Sequence, residues 1–198
     1  MRYSYGNNKL GKENVLVTSR PVGDTCPDTC EYLDNECYAQ KTEVRFKPAR
    51  KAAMTNLITE KNRIRAMLIT ADAENKDVRF HERGEFLLNG VLDTEYVANI
   101  EWACQSIIDS SEFELPAIWF FTHVYHERLA ALARFGIAAY ASVHTDADYQ
   151  VAQSVGFKLF AWNDNRSEYT DAKPRSKVKQ EVWRDNLPRL VVINNEKY

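Results

Sequence analysis

The chain lacks most of what would point to a membrane, a secretory route or a familiar nucleotide fold. No apolar run approaches the roughly 20 residues that a bilayer-spanning helix needs. The opening segment, Met1-Arg2-Tyr3-Ser4-Tyr5-Gly6-Asn7-Asn8, is polar and unlike a signal peptide. Formal net charge is only −2, so the field of the whole molecule selects no partner. Neither G-x-G-x-x-G nor a P-loop is present, and no nucleophile elbow or Ser–His–Asp pattern appears. Cysteine is scarce, four in 198 residues. Together these absences predict a cytoplasmic protein with no membrane partner, in a compartment where thiols stay reduced. The length fits a single domain, 1–198, able to bury a real core.

What cysteine there is lies together. Cys26, Cys30 and Cys37 fall in one stretch with C-x3-C-x6-C spacing, followed at once by Tyr38. Under reducing conditions such a group reads as a metal site before it reads as disulfides. Thiolates suit soft or borderline metals, which makes an iron–sulfur cluster and zinc the candidates. Three thiolates also leave one position open, as a reactive [4Fe-4S] cluster or an open zinc site requires. A C-x2-C pair would favour a zinc ribbon, whereas the wider spacing lets a loop wrap a cubane. Cys104, His81, His123, His144 or a small molecule could complete the set. Cys104 sits on an apolar helical stripe and reads as a core thiol. Packing or free thiols are the competing account of the triad.

Charge is uneven. Asp24–Glu36 holds five acids and no base, and Lys41–Arg65 holds eight bases and two acids. The basic stretch reads either as a nucleic-acid contact or as a solvated helix face.

The pattern of elements is βα. Asn14–Thr18 reads as a strand and precedes the cysteine loop. Pro48 suits a first helical turn, and Ala49, Ala53, Leu57, Ile64 and Leu68 predict one helix from Pro48 to Leu68. Val78–His81 is a short strand. Asp93 or Thr94 caps a helix with an apolar stripe through Ile108. Pro116–Thr122 reads as a strand buried on both faces. Then a helix near His126–Phe135 ends at Gly136, and a strand follows at Ile137–Val143. A helix capped by Thr145 with Asp148 ends at Gly156, and a strand follows at Lys158–Trp162. Asn163–Lys179 reads as a loop, Val182 and Trp183 as part of a helix, and Leu190–Ile193 as a last strand. The expected fold class is α/β, a partial (open) parallel β/α barrel, with a Rossmann-like open sheet as rival.

In β/α barrels, active sites gather where strands give way to loops. The residues there are polar: His81 and Glu85, then Thr122 and His123, then Ser142 and His144, then Asn163. His81, Glu85 and His123 are the candidate catalytic groups for acid–base work. Ser142, His144 and Asn163 are candidate cofactor-binding residues, and Cys26, Cys30 and Cys37 the candidate metal ligands. Each has an ordinary alternative as a helix cap or a partner for loop backbone.

At these residues the chain resembles the gene-product-88 family of phage-encoded proteins, similar in turn to radical S-adenosylmethionine (SAM) enzymes. The likeness rests on Gly6-Asn7-x-Lys9-Leu10, on Cys26-Pro27-x-x-Cys30 with Cys37-Tyr38-Ala39, and on His81-x-x-Gly84-Glu85-Phe86. Phe121-Thr122-His123 and Ala141-Ser142-Val143 add to it. It implies iron–sulfur ligation by Cys26, Cys30 and Cys37 on a partial barrel, with SAM or another small molecule at the open iron. Radical SAM enzymes usually space their cysteines C-x3-C-x2-C; here the second gap is six. The family implies no particular reaction. The alternative expectation is a structural zinc in a protein that contacts nucleic acid, through Lys41–Arg65, or a host protein.

Overall fold

The computed structural model describes residues 1–6, 14–30, 33, 37–163 and 190–193. Its strands are β1 (Tyr3–Tyr5), β2 (Val15–Thr18), β3 (Asp77–Phe80), β4 (Leu87–Leu88), β5 (Val91–Leu92), β6 (Ile118–Thr122), β7 (Ala138–Val143), β8 (Leu159–Asn163) and β9 (Leu190–Ile193). The helices are α1 (Tyr38–Arg45), α2 (Lys47–Met54), α3 (Lys61–Ala73), α4 (Thr94–Ile108), α5 (Glu127–Ala130) and α6 (Asp146–Ser154), with a 3-10 turn over Ala131–Phe135.

One sheet runs β1-β2-β3-β6-β7-β8-β9, and β4 and β5 form a separate hairpin. From β2 onward every neighbouring pair is parallel; only β1 is antiparallel, along the β2 edge. Parallel neighbours need a crossover to return the chain, and helices lie in each connection from β2 to β8. The six parallel strands follow one another in chain order. A doubly wound sheet reverses order at a switch point, and this one does not, which removes the Rossmann-like rival. The result is a mostly parallel α/β sheet flanked by helices. Among the described residues β1 and β9 are its edges.

The two faces of the sheet differ. Leu16, Val78, Phe80, Ile118, Phe120, Ala139, Ala141, Val143 and Phe160 pack with apolar residues of α3, α4, α5 and α6. Val15, Val17, Trp119, Ala138, Tyr140 and Ala161 form a second cluster on the alternate positions, and no described helix residue belongs to it. Strand alternation therefore sorts the side chains into one helix-covered face and one face whose cluster takes no residue from a described helix. β7, buried at all six positions, serves both.

Several sequence expectations are met closely. Asp93 caps α4, its Oδ1 accepting from the Tyr96 backbone N–H at 3.0 Å. Thr145 and Asp148 make a reciprocal capping box on α6. Gly136 ends the preceding turn with φ +76°. The single helix expected over Pro48–Leu68 is instead two, α2 and α3, and the break has a cause. Asn56 is buried and its amide serves the chain elsewhere. Its Oδ1 accepts from Arg2 N–H at 2.8 Å, and its Nδ2 donates to the carbonyls of Arg2 and Ser19 at 2.9 Å each. The helical spacing from Ala49 to Leu68 comes from two short amphipathic pieces in succession. The helix expected near His126–Phe135 is a single α-turn continued as 3-10. α1, β1 and the β4–β5 hairpin had no strong signal. The loop over Asn163–Lys179, but for its first residue, and the helix at Val182 and Trp183 lie outside the described residues.

Candidate functional site at the carboxyl ends of the strands

Because six strands are parallel, their carboxyl ends share one edge of the sheet, and the polar residues after them meet there. β2 leads into Arg20 and the cysteine loop; β3 leads into His81–Leu87. These two loops are stitched together. Arg20 N–H donates to the Arg83 carbonyl at 2.9 Å, Glu82 N–H to Thr18 O at 2.8 Å, and Leu87 N–H to Thr25 O at 3.2 Å. Thr25 Oγ1 accepts from Glu85 N–H at 2.9 Å and donates to Pro21 O at 2.8 Å.

Gly84 sits at the tightest point. Its φ is +73°, and a Cβ there would stand 2.3 Å from the Arg20 carbonyl oxygen and 2.7 Å from Thr25 Oγ1. Both the left-handed backbone and the missing side chain are required. The glycine of the H-x-x-G-E-F segment thus has a steric explanation, and Phe86 after it is wholly buried.

Arg20 organises the inside of the stitch. Its side chain has no exposed surface and pairs with Asp93 Oδ2 at 2.5 Å. NH1 donates to the carbonyls of Glu85 and Leu87 at 3.2 and 3.3 Å, and the guanidinium lies 4.4 Å from the Tyr96 ring centroid. One buried cation thereby fixes the end of β2, the Glu85 loop and the start of α4. No local pattern marks Arg20, Thr25 or Tyr96 as site-building residues.

Glu85 and His123 come together as a pair. The Glu85 carboxylate accepts from Thr122 Oγ1 at 2.7 Å, from His123 N–H at 3.0 Å, and meets His123 Nδ1 at 3.1 Å. A carboxylate at Nδ1 sets the tautomer in which Nε2 is free to accept a proton. His123 Nε2 is buried and has no hydrogen-bond partner among the described residues. The His123 ring stacks on His144, centroids 5.1 Å apart and planes 9° from parallel. His144 N–H donates to Asp148 Oδ2 at 3.1 Å, anchoring it to the α6 cap. Ser142 is buried, and its carbonyl accepts from Tyr125 Oη at 2.5 Å. Burial, then Asp148 and Glu85, push the Tyr125 phenol above its ordinary range.

His81 stands apart from that pair. Its φ of +56° turns the ring toward the helix layer. There Nε2 meets Tyr96 Oη at 3.0 Å, and the ring packs on Phe86 at 4.3 Å. Burial, and next the Arg20 charge, hold its pKa well below the usual histidine value. It is a neutral, buried ring. Asn163 is the last residue of β8 and lies on the same strand-end edge.

The three cysteines, half-buried and unbridged, follow the end of β2. Turn bonds shape their loop, among them Cys26 N–H to Gly23 O at 3.3 Å, Cys30 N–H to Pro27 O at 3.0 Å and Leu33 N–H to Cys30 O at 3.0 Å. Cys37 caps α1, its Sγ accepting from Gln40 N–H at 3.4 Å. Burial pushes the Cys26 thiol up to about 12, with Glu85, Cys30 and Cys37 adding to the rise. Among the described residues no three His, Cys, Asp or Glu side chains converge as ligands of a single ion. Cys104 is a core thiol of α4, fully buried and likewise raised to about 12.

The basic stretch is divided over α1, α2 and α3, with all but Arg65 of its eight bases exposed. Arg50 is committed to Asp24 at 3.0 Å and Glu43 at 3.6 Å. Among the described residues no helix is long and apolar enough to cross a membrane. A shallow depression lined by Ala130, Ala133, Gly156 and Lys158 lies at the amino ends of β7 and β8, away from these groups. No protein-family model, curated protein or solved structure matches the chain.

Proposed function

We propose that this chain is an iron–sulfur protein of radical-SAM-like build, holding one [4Fe-4S] cluster through Cys26, Cys30 and Cys37 at the mouth of a partial β/α barrel. The observation that carries this reading is the position of the thiols. They share one loop after the first parallel strand, and that loop is stitched to the one bearing Glu85. The donor set is chemically suited to a soft centre. The chain-order strands and the helix-free inner face among the described residues support the barrel half of the proposal.

When bound, a three-thiolate cluster supplies electron transfer and one open iron for a small molecule such as SAM. The protein's own part is distinct. Glu85 orients His123 through Nδ1 and the backbone, Thr122 shares the carboxylate, and Nε2 remains available to take a proton from a bound ligand. His81, turned into the core, positions this loop through Tyr96. Ser142, His144 and Asn163 border the same edge and would line a cofactor or substrate. The likeness to phage gene-product-88 proteins belongs to the same proposal.

The test is metal content. Protein purified without oxygen should carry about four irons and four sulfides, with a brown band that bleaches on reduction. A Cys30→Ala variant should lose iron and colour. One zinc and no colour would overturn the cluster reading in favour of a structural zinc. A steeply salt-dependent nucleic-acid affinity through Lys41–Arg65 would then become the next question.

A further inference from the structure

Asn89-Gly90 is the single Asn-Gly pair in the chain. It forms the tip of the β4–β5 hairpin, with both residues exposed and Leu88 paired to Val91 across it. Both residues sit at positive φ, +52° and +77°, the backbone of a tight hairpin turn for which Asn-Gly is favoured. Among the described residues neither the Asn89 amide nor the Gly90 N–H has a hydrogen-bond partner. Asn75 makes the comparison. It too is exposed and sits at φ +52°. Yet the backbone nitrogen that follows it, Lys76 N–H, is tied to the Ala71 carbonyl at 2.8 Å. Asn56 is buried, with its amide held by Arg2 and Ser19. At Asn89, an exposed side-chain amide stands next to an unengaged backbone nitrogen that no side chain shields.

The hairpin is tied to the cysteine loop. Leu87 N–H donates to Thr25 O at 3.2 Å, and Arg20 NH1 donates to Leu87 O at 3.3 Å. At the tip, Asp28 Oδ2 lies 4.0 Å from where a Cβ on Gly90 would stand. Asp28 falls between Cys26 and Cys30. The hairpin is separate from the main sheet. A two-stranded ribbon is marginal by itself, so its tip leaves the turn conformation at small cost.

We propose that Asn89-Gly90 is a self-modifying site, at which loss of ammonia converts Asn89 to aspartate and isoaspartate and loosens the cysteine loop beside it. The Gly90 backbone nitrogen gives up its proton and attacks Asn89 Cγ. The new N–Cγ bond closes a succinimide ring, and the side-chain nitrogen takes up a proton and leaves as ammonia. Water then opens the ring at either carbonyl. Breaking the N–Cγ bond leaves aspartate. Breaking the bond from nitrogen to the Asn89 carbonyl carbon leaves isoaspartate, with the main chain now running through Cβ and Cγ. Nothing is oxidised or reduced. Both products put a carboxylate near Asp28. Isoaspartate also lengthens the turn, so Leu88 and Val91 lose their register, and the displacement passes to Leu87 and its partners Thr25 and Arg20.

The test follows the reduced, full-length chain through incubation at mildly alkaline pH, with peptide mass spectrometry at each asparagine. Conversion at Asn89 should outrun that at Asn75 and Asn56, and should be lost in Asn89→Gln. Hydroxylamine, which cleaves succinimides, should cut the unaltered chain between Asn89 and Gly90, a readout that needs no variant. Conversion at Asn89 no faster than at Asn75, or confined to chain unfolded in urea, would overturn the site. Its consequence is read by iodoacetamide alkylation of Cys26 and Cys30. Their rates should rise about fivefold in the isoaspartate fraction, the change expected when one backbone hydrogen bond to the loop is lost. They should stay at the fresh level in Asn89→Asp, which carries the new charge in a turn of unchanged length. Equal rates in all three samples would sink the link to the cysteine loop. The reaction needs no metal, so an iron-free chain leaves it standing and the two readings fail separately.

Discussion

Arg20 carries a full charge with no exposed surface, and its terminal nitrogens reach Asp93 and the carbonyls of Glu85 and Leu87. Removing one partner of a buried ion pair leaves the other charged and dry. Arg20→Met should therefore cost about 3–5 kcal/mol of stability by denaturant unfolding. Arg20→Lys should recover little, because one ammonium cannot serve three separated acceptors in the plane of a fork. Gly84 makes the complementary case, in which an added methyl is the fault. Gly84→Ala meets the Arg20 carbonyl and keeps a left-handed φ, and should lose about 1–3 kcal/mol or more. A loss below about 0.5 kcal/mol in chemical denaturation would show that the loop yields easily. His81 adds a pH signature. Its folded pKa is depressed by burial and then by Arg20, so the unfolded chain takes up a proton that the folded chain refuses. Its contribution is full at neutral pH and is lost as pH falls below about 6.5. Unfolding free energy should drop between about pH 7.5 and about 5.5, and less so in His81→Gln. That comparison separates His81 from Glu43, whose raised pKa acts in the opposite sense.

At the scale of elements, the caps and breaks locate the site. Thr145 and Asp148 close the first turn of α6 and also hold His144 N–H, so one capping box sets the height of the ring that stacks on His123. Thr145→Ala should cost about 1 kcal/mol. It should also shift the NMR ring resonances of His123, which it does not touch. An unchanged His123 spectrum would mean that the stack does not depend on the cap. Legibility at this scale followed locality. Asp93, Thr145 and Gly136 were readable because a cap acts within four residues of itself. The break between α2 and α3 was not, because Asn56 answers to Arg2 and Ser19, which lie 54 and 37 residues away. Apolar spacing through Leu57 and Ile64 continued across the gap and hid it.

For the whole molecule, parallel strands in chain order explain why residues as distant as Thr18, His81, Thr122, His144 and Asn163 lie along one edge. The sequence by itself determined the alternation of strand and helix, the strand-end residues and the grouping of three thiols, since these rest on period, cap chemistry and spacing. It also placed Glu85 and His123 among the groups to watch. Only tertiary structure decided which of them would meet. Glu85 joined His123 and Thr122, whereas His81 turned into the core on a left-handed backbone and paired with Tyr96. Arg20, with no local pattern to announce it, became the centre of the site's packing. The physical reason is the range of the interactions. Periodicity and capping act within a few residues, but a buried charge is satisfied only by groups that folding carries to it, here Glu85, Leu87 and Asp93, more than sixty residues along the chain.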